Sequence, residues 1–216
     1  MPGILTVFND CAPEGRQHFE TWYNREHLQE RVAVPGFRYG RRYQLVAGGD
    51  RQFFAFYEVD APSVLNSDVY LARLNDPTPW TQLAMKSFRN MVRTVCEVHA
   101  TAGHLIGSHA VLLRADEAMV PAPAAAAWVE ELAAQEGIAR VEIWTRAAQQ
   151  TNADTAEMRS RGKDRLAAGA LLVECVRPTD AERIMAMLKT PPAALGIAGA
   201  SALGTYALLC LYQRAP

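Results

Sequence analysis

The chain has 216 residues, 50 % hydrophobic and 21 % charged, with 22 Lys and Arg against 23 Asp and Glu. That balance excludes a disordered chain, which could not bury enough apolar surface, and a binder driven by phosphate neutralisation, which needs surplus cations. The length suits two units of roughly 100 residues, each with its own core. The four cysteines, Cys11, Cys96, Cys175 and Cys210, form no CxxC, so neither a zinc cluster nor a disulfide scaffold is expected, and a reducing, cytoplasmic setting fits. The N-terminus has no basic n-region. Residues 190–213 are uncharged and long enough to cross a bilayer, but Pro191, Pro192, Gly196, Gly199 and Gly204 make them a small-residue loop running into a buried strand. Neither a membrane nor a nucleic acid is an expected partner.

In chain order, the pattern predicts a strand at 4–8 and a long helix over about 15–32, ended by Pro35-Gly36, which resist and exit helix respectively. Strands at 37–46 and 52–59 follow, joined through Gly48-Gly49-Asp50 as a hairpin. A helix is expected from 61 to about 74, then a short one opened by Thr78 as N-cap with Pro79 at its first position. A strand at 92–100 closes the first half. The second half repeats the order: strand 109–114, helix 122–134, strands 139–145 and 167–176, a helix over 180–188 capped by Thr179, and a strand over 205–212. A charged insertion at 149–165 reads as an extended loop or flap.

Each half is therefore β-α-β-β-α-β, the ferredoxin-like unit, with the division falling between 1–103 and 104–216. Several strands do not alternate. Phe53, Ala55, Tyr57 and Val59 occupy one face and Phe54 and Phe56 the other. In the last strand Ala207, Leu209 and Leu211 oppose Tyr206, Leu208, Cys210 and Tyr212. Both faces must then be covered, one by helices and the other by the second unit's sheet. The fold expected is α+β: two tandem ferredoxin-like units whose antiparallel sheets pack face to face as an intrachain α+β barrel. A homodimer burying the same faces is the rival.

In the first long helix Phe19, Trp22, Tyr23, Glu26 and Glu30 share a face, with His27 at its edge. His27 has Tyr23 and Glu30 within reach at i−4 and i+3. A carboxylate there would raise the imidazole pKa and make a proton donor near neutrality; the same contacts also suit a purely structural histidine. On the next strand Phe37, Tyr39, Arg41 and Tyr43 share a face. If it lines the barrel interior, Arg41 is a fixed cation for a carboxylate, enolate or phenolate. If it lies under the helices, Arg41 or Arg42 pairs with Glu26 or Glu58 and ties helix to sheet. His99, His104 and His109 do not converge at their spacing of five, so no metal site is expected. Trp80, Ala84 and Phe88 share a helical face suited to core or rim packing.

The runs Trp22-Tyr23-Asn24-Arg25-Glu26-His27-Leu28, Pro35-Gly36-Phe37, Arg41-Arg42-Tyr43, Tyr57-Glu58-Val59, Tyr70-Leu71 and Thr78-Pro79-Trp80-Thr81 resemble the first-unit signature of the EthD-like branch of the dimeric α+β barrel superfamily. The resemblance covers residues 3 to about 100; the second half keeps the element order without the motifs, as a degenerate partner unit. It implies cofactor-free monooxygenase, isomerase or haem-modifying activity without choosing among them. The leading expectation is a small-molecule ligand, an apolar ring or ketone, bound in the first unit without a metal or cofactor, haem being a sub-case. His27 would transfer a proton and Arg41 would stabilise negative charge. Trp22, Tyr23, Glu26, Tyr39, Tyr43 and Trp80 would shape the pocket. The alternatives are a non-catalytic binding protein and a structural assembly module with a solid barrel.

Overall fold

The computed structural model describes residues 1–151, 154–162 and 164–214. Its elements are β1 (Gly3–Cys11), α1 (Arg16–Trp22) running through a π turn (Tyr23–His27) into α2 (Leu28–Val32), β2 (Phe37–Gly48), β3 (Phe53–Val59), α3 (Asp68–Asn75), α4 (Pro79–Met85) and β4 (Phe88–Ala102). The chain continues with β5 (His109–Ala115), β6 (Ala118–Met119), α5 (Ala125–Ala133), β7 (Ile138–Arg146), α6 (Ala156–Arg161), β8 (Gly169–Cys175), α7 (Pro178–Leu188), β9 (Ile197–Ala198) and β10 (Ser201–Gln213). Eight strands close a barrel in the order β1-β3-β2-β10-β5-β8-β7-β4, all pairs antiparallel. The two four-stranded sheets meet along their edges, β2 against β10 and β4 against β7, with Tyr43 opposite Leu208 and Val98 opposite Trp144.

The period of two sorts the side chains into three cores. Inside the barrel Ile4, Phe8, Tyr43, Phe54, Phe56, Cys96, Leu112, Trp144, Leu172 and Tyr206 pack together. Outside it the helices of each half cover the opposite sheet faces. Every residue of β3 is buried, as its apolar runs on both faces require. Burying a side chain such as Phe56 contributes roughly 2–3 kcal/mol.

Strand pairing all round the barrel leaves no free sheet edge, and ion pairs lie toward its ends. At one end Arg114 bridges Asp50 and Asp116; at the other Arg140 joins Glu58 and Glu142. The hairpin after β2 turns on Gly48 (φ +64°) and Gly49 (φ +65°), a backbone region that a Cβ disfavours.

Four expectations need correction. The helix over 61–74 is interrupted: Pro62–Asn66 is a 3-10 turn, and Ser67, extended, starts α3 by accepting from Tyr70 N–H. Helix α7 starts at Pro178, so Thr179 lies inside its first turn, and Asp180 instead closes onto Arg177 N–H. The segment 149–165 carries α6 rather than being wholly loop; its residues 152, 153 and 163 lie outside the described residues. Finally, β10 is covered on both faces only in its first part. Leu209, Leu211 and Tyr212 are 43 %, 36 % and 36 % exposed. Strand β5 begins at His109 opposite Ala207, so beyond Leu208 the strand has no β5 neighbour.

Candidate functional site

The helix over the first sheet sets the geometry. In a regular α-helix Trp22 and His27, five residues apart, would point about 140° apart. The π turn at Tyr23–His27, with i→i+5 hydrogen bonding, brings residues five apart nearly into register. The His27 ring thereby stacks on Trp22, with centroids 4.2 Å apart and planes at 29°. Tyr23 and Tyr57 present edges to the same imidazole, at 4.9 and 6.3 Å.

A relay holds Trp22 in place. Its Nε1–H donates to Thr81 Oγ1 (3.1 Å), which donates to Glu26 Oε1 (3.0 Å). Glu26 also accepts from Thr78 Oγ1 (2.6 Å), the N-cap of α4, which itself accepts from Thr81 N–H (3.0 Å). Glu26 therefore ties the π turn to α4. Thr78→Ala is expected to cost about 1 kcal/mol, measured by urea unfolding, through loss of the cap and of the Glu26 anchor.

His27 lines a cavity of about 30 Å³ between these helices and the outer face of the sheet. Its walls include Leu5, Tyr57, Tyr70, Met85, Arg31 and Arg93, and α6 of the second half contributes Glu157 and Arg161. Glu157 forms a buried ion pair with Arg31. Arg93 donates to Tyr70 Oη (3.0 Å) and to Thr151 Oγ1 (3.3 Å). Three buried polar atoms on this wall have no partner among the described residues: His27 Nδ1, Tyr57 Oη and Arg31 Nη1. Tyr57 Oη lies near the Tyr23 hydroxyl without a hydrogen bond of acceptable geometry. Buried polar groups are ordinarily satisfied. Three orphans on one cavity mark a place for a polar ligand atom or an ordered water.

Of the two roles expected for His27, proton donor or acceptor, the electrostatics favour the acceptor. Burial lowers the His27 pKa well below its ordinary value, and Arg31, Arg42 and Arg161 lower it further. Glu30 does not offset them. Its own pKa is raised by burial, so its carboxyl holds its charge less firmly. His27 is neutral at pH 7, an acceptor or base. Burial likewise raises the Tyr57 hydroxyl, with a contribution from Tyr23, so the phenol stays protonated and can donate. For Arg31, burial opposes the charge, but Glu157 more than restores it and its pKa rises.

The residues picked from the sequence divide between two places. Tyr23 and His27 line this cavity, while Trp22, stacked on His27, and Glu26 stand behind it. Tyr39, Arg41 and Tyr43 lie on the other face of the sheet, toward the barrel interior. There Arg41 donates to Glu174 Oε2 (2.6 Å) and Tyr43 Oη donates to Glu174 Oε1 (2.8 Å), while Tyr39 Oη donates to Glu58. Arg41 also lies over the Tyr39 and Phe56 rings at 4.7 and 5.3 Å. Trp80, half-buried, packs edge-on to His18 at 6.0 Å instead of facing His27. Arg42 pairs with neither Glu26 nor Glu58; it sits among Phe19, Tyr23 and Phe53 at 4.5–5.0 Å. The sequence reading missed Arg31, Tyr57, Tyr70, Arg93, Glu157 and Arg161. Tyr57 and Tyr70 carried a signal, both lying in the motif runs at 57–59 and 70–71, Tyr57 also on the β3 face shared with Phe53 and Val59. A larger groove, about 200 Å³, runs between the end of β2 and α7, but its His109 is already bonded to Ser108.

No family profile and no curated protein matches this sequence. Solved structures do. An anthrone oxidase-like protein superposes with a TM-score of 0.61 at 12 % identity, over 98 % of this chain and 92 % of its own. A candidate monooxygenase from Lactobacillus acidophilus NCFM gives 0.57 at 10 %, over 98 % and 96 %. A haem-binding protein from Thermus thermophilus gives 0.50 at 12 %, over 95 % and 90 %. These likenesses establish the fold, an antiparallel eight-stranded α+β barrel closed within one chain.

They also correct the expectation of no cofactor, because the same fold holds haem in one of these neighbours. The space and donors in this chain decide whether that group fits. Under the second half's helices the space is filled by an apolar cluster without histidine. In the first half His27 has an unpartnered buried nitrogen suited to iron, but about 30 Å³ is far short of a porphyrin. This conformation does not fit haem.

Proposed function

We propose that the chain binds a small, largely apolar ring ketone in the helix-side cavity of its first half and removes a proton beside the carbonyl, with His27 as base. The carbon–hydrogen bond breaks, the proton passes to His27 Nδ1, and the electron pair moves into the enolate with its charge on oxygen. Arg31 Nη1 and the Tyr57 hydroxyl supply the hydrogen bonds that this oxygen requires, and Arg93 adds positive charge. Returning the proton at another carbon is isomerisation; if the α-carbon instead bonds to dioxygen, which is the oxidant and is reduced to the peroxide level, the proton held on His27 passes to the peroxide oxygen and the product is the α-hydroperoxyketone. The EthD-like motifs at 22–28 and 78–81 and the names of the oxidative neighbours favour the second outcome. The single observation carrying this reading is the convergence of three unpartnered polar atoms on one cavity.

At about 30 Å³ the cavity has room for one or two waters, so a ring must displace its apolar wall. Met85 and Met91 are unbranched side chains suited to that. A solid barrel interior is what an assembly module would show, but such a module has no use for the three orphans. The test uses 2-tetralone in D2O, with loss of its α-proton signals followed by NMR. The protein is expected to accelerate exchange above buffer, and Tyr57→Phe to slow it about tenfold or more, as removal of a donor to developing charge does. Tight binding of 2-tetralone without accelerated exchange would leave a non-catalytic binding protein.

A further inference from the structure

Beside the His27 cavity, and sharing Phe88, Met91 and Arg161 with it, a second cleft of about 140 Å³ is lined by Arg89, Asn90 and Arg165. Its lining holds three guanidinium groups and no carboxylate. Each is differently placed. Arg161 is held by both oxygens of Asp164. Arg89 is aimed by the backbone carbonyls of Lys86 (2.6 Å) and Phe88 (2.8 Å), which leave its charge uncompensated. The Arg165 side chain has no hydrogen bond or ion pair among the described residues, while its backbone is fixed to β4 through Met91 O and Arg93 N–H. Asn90, at φ +53°, is the one non-glycine residue of positive φ among those described. It is anchored by Asp10, which accepts from its Nδ2 (2.8 Å), and its own carbonyl accepts from Arg51 Nε (2.6 Å). This irregularity in the β1–β4 pairing, near the start of β4, sets Arg89 at the mouth.

We propose that this arginine-lined cleft is an anion subsite that receives a carboxylate carried by the same ligand whose apolar ring enters the His27 cavity. The inference rests on the proposed function for the ring's location, and it adds the substrate class: an apolar ring ketone with an acidic substituent. The shared Phe88 and Met91 form the apolar floor between the two places. Guanidinium groups prefer planar, bidentate carboxylate partners, and a cluster of one sign at a cleft mouth also steers anions toward it.

The experiment is a titration of the whole protein with three probes, namely benzoate, 2-tetralone and a tetralone carboxylic acid. It follows Arg Nε–H and Trp22 and His27 ring signals by NMR, with Arg signals assigned through R89K, R161K and R165K. The carboxylated tetralone is expected to bind about tenfold tighter than 2-tetralone at low salt, the advantage shrinking as salt rises. Arg165→Gln should remove most of that advantage and leave the affinity for 2-tetralone within about twofold. Benzoate alone should shift the Arg89 and Arg165 signals. If 2-tetralone shifts His27 while benzoate shifts no arginine and the acid has no advantage, the subsite is overturned and the ring site stands. If benzoate shifts the arginines and no tetralone reaches His27, the ring site falls, and with it the shared ligand. Silence from all three probes overturns both.

Discussion

Replacing His27 by Gln is expected to slow the exchange of 2-tetralone α-protons by about 10²- to 10⁴-fold, the usual contribution of a general base. Affinity for the ring, read from Trp22 fluorescence, should change little, since Gln keeps a polar group against the indole. The pH dependence follows from the depressed imidazole. Because His27 is neutral through pH 7, the rate should stay level across neutrality and fall only in acid, below the ordinary histidine value of about 6.5. Stability carries the same signature. The unfolded chain takes up the proton at about pH 6.5 and the folded chain only at lower pH. Stability is therefore full above about 6.5 and lost as pH falls toward the folded value, by about 1.4 kcal/mol per unit. In His27→Gln this part of the slope should vanish. A rate that rises in acid would mean a protonated donor and would refute the base assignment.

The largest stability effect is expected inside the barrel. Arg41, Tyr43 and Glu174 form a buried cluster, with the side chains of Arg41 and Glu174 3 % and 0 % exposed. Burial opposes the Arg41 charge, and Glu174, with Tyr43 and Tyr39, more than restores it. Removing one partner strands the other charge. Glu174→Ala or Arg41→Ala is expected to destabilise by about 3–5 kcal/mol, whereas the double variant Arg41→Met/Glu174→Leu should regain most of that. Urea unfolding measures all three. The proton-exchange activity of the folded fraction should be unchanged in the double variant, because this cluster faces away from His27. Loss of exchange there at full stability would return Arg41 to the chemistry.

How much of this could be read from the residues varies with the range of the interactions. The covered faces of Phe53–Val59, the glycine turn at 48–49 and the Thr78-Pro79 helix start are local patterns, and each is present in the structure. The His27–Trp22 stack was not legible, because a period of about 100° per residue separates two side chains that a π turn aligns. Arg41's location depended on which face of β2 turned inward, and its partner Glu174 stands 133 positions away. The same distance problem hid Glu157, which a short helix of the second half brings onto Arg31, 126 positions earlier. The exposed end of β10 was misjudged because coverage depends on where β5 begins, which hydrophobicity along β10 does not record. The proposed site was therefore half visible. Tyr23, His27 and Arg31 share one helical stretch, while Tyr57, Tyr70, Arg93, Glu157 and Arg161 are brought to them by folding.

The claim on which the account turns is that the ligand enters between the helices and the outer face of the first sheet, and not the barrel. A crystal structure of the protein soaked with 2-tetralone tests this directly. The ring should lie among Tyr57, Met85 and Phe88, its carbonyl oxygen about 3 Å from Arg31 Nη1 or Tyr57 Oη and an α-carbon within reach of His27 Nδ1. A ring found between Phe54, Phe56 and Trp144, or in the groove beside α7 with the His27 cavity unchanged, would contradict it.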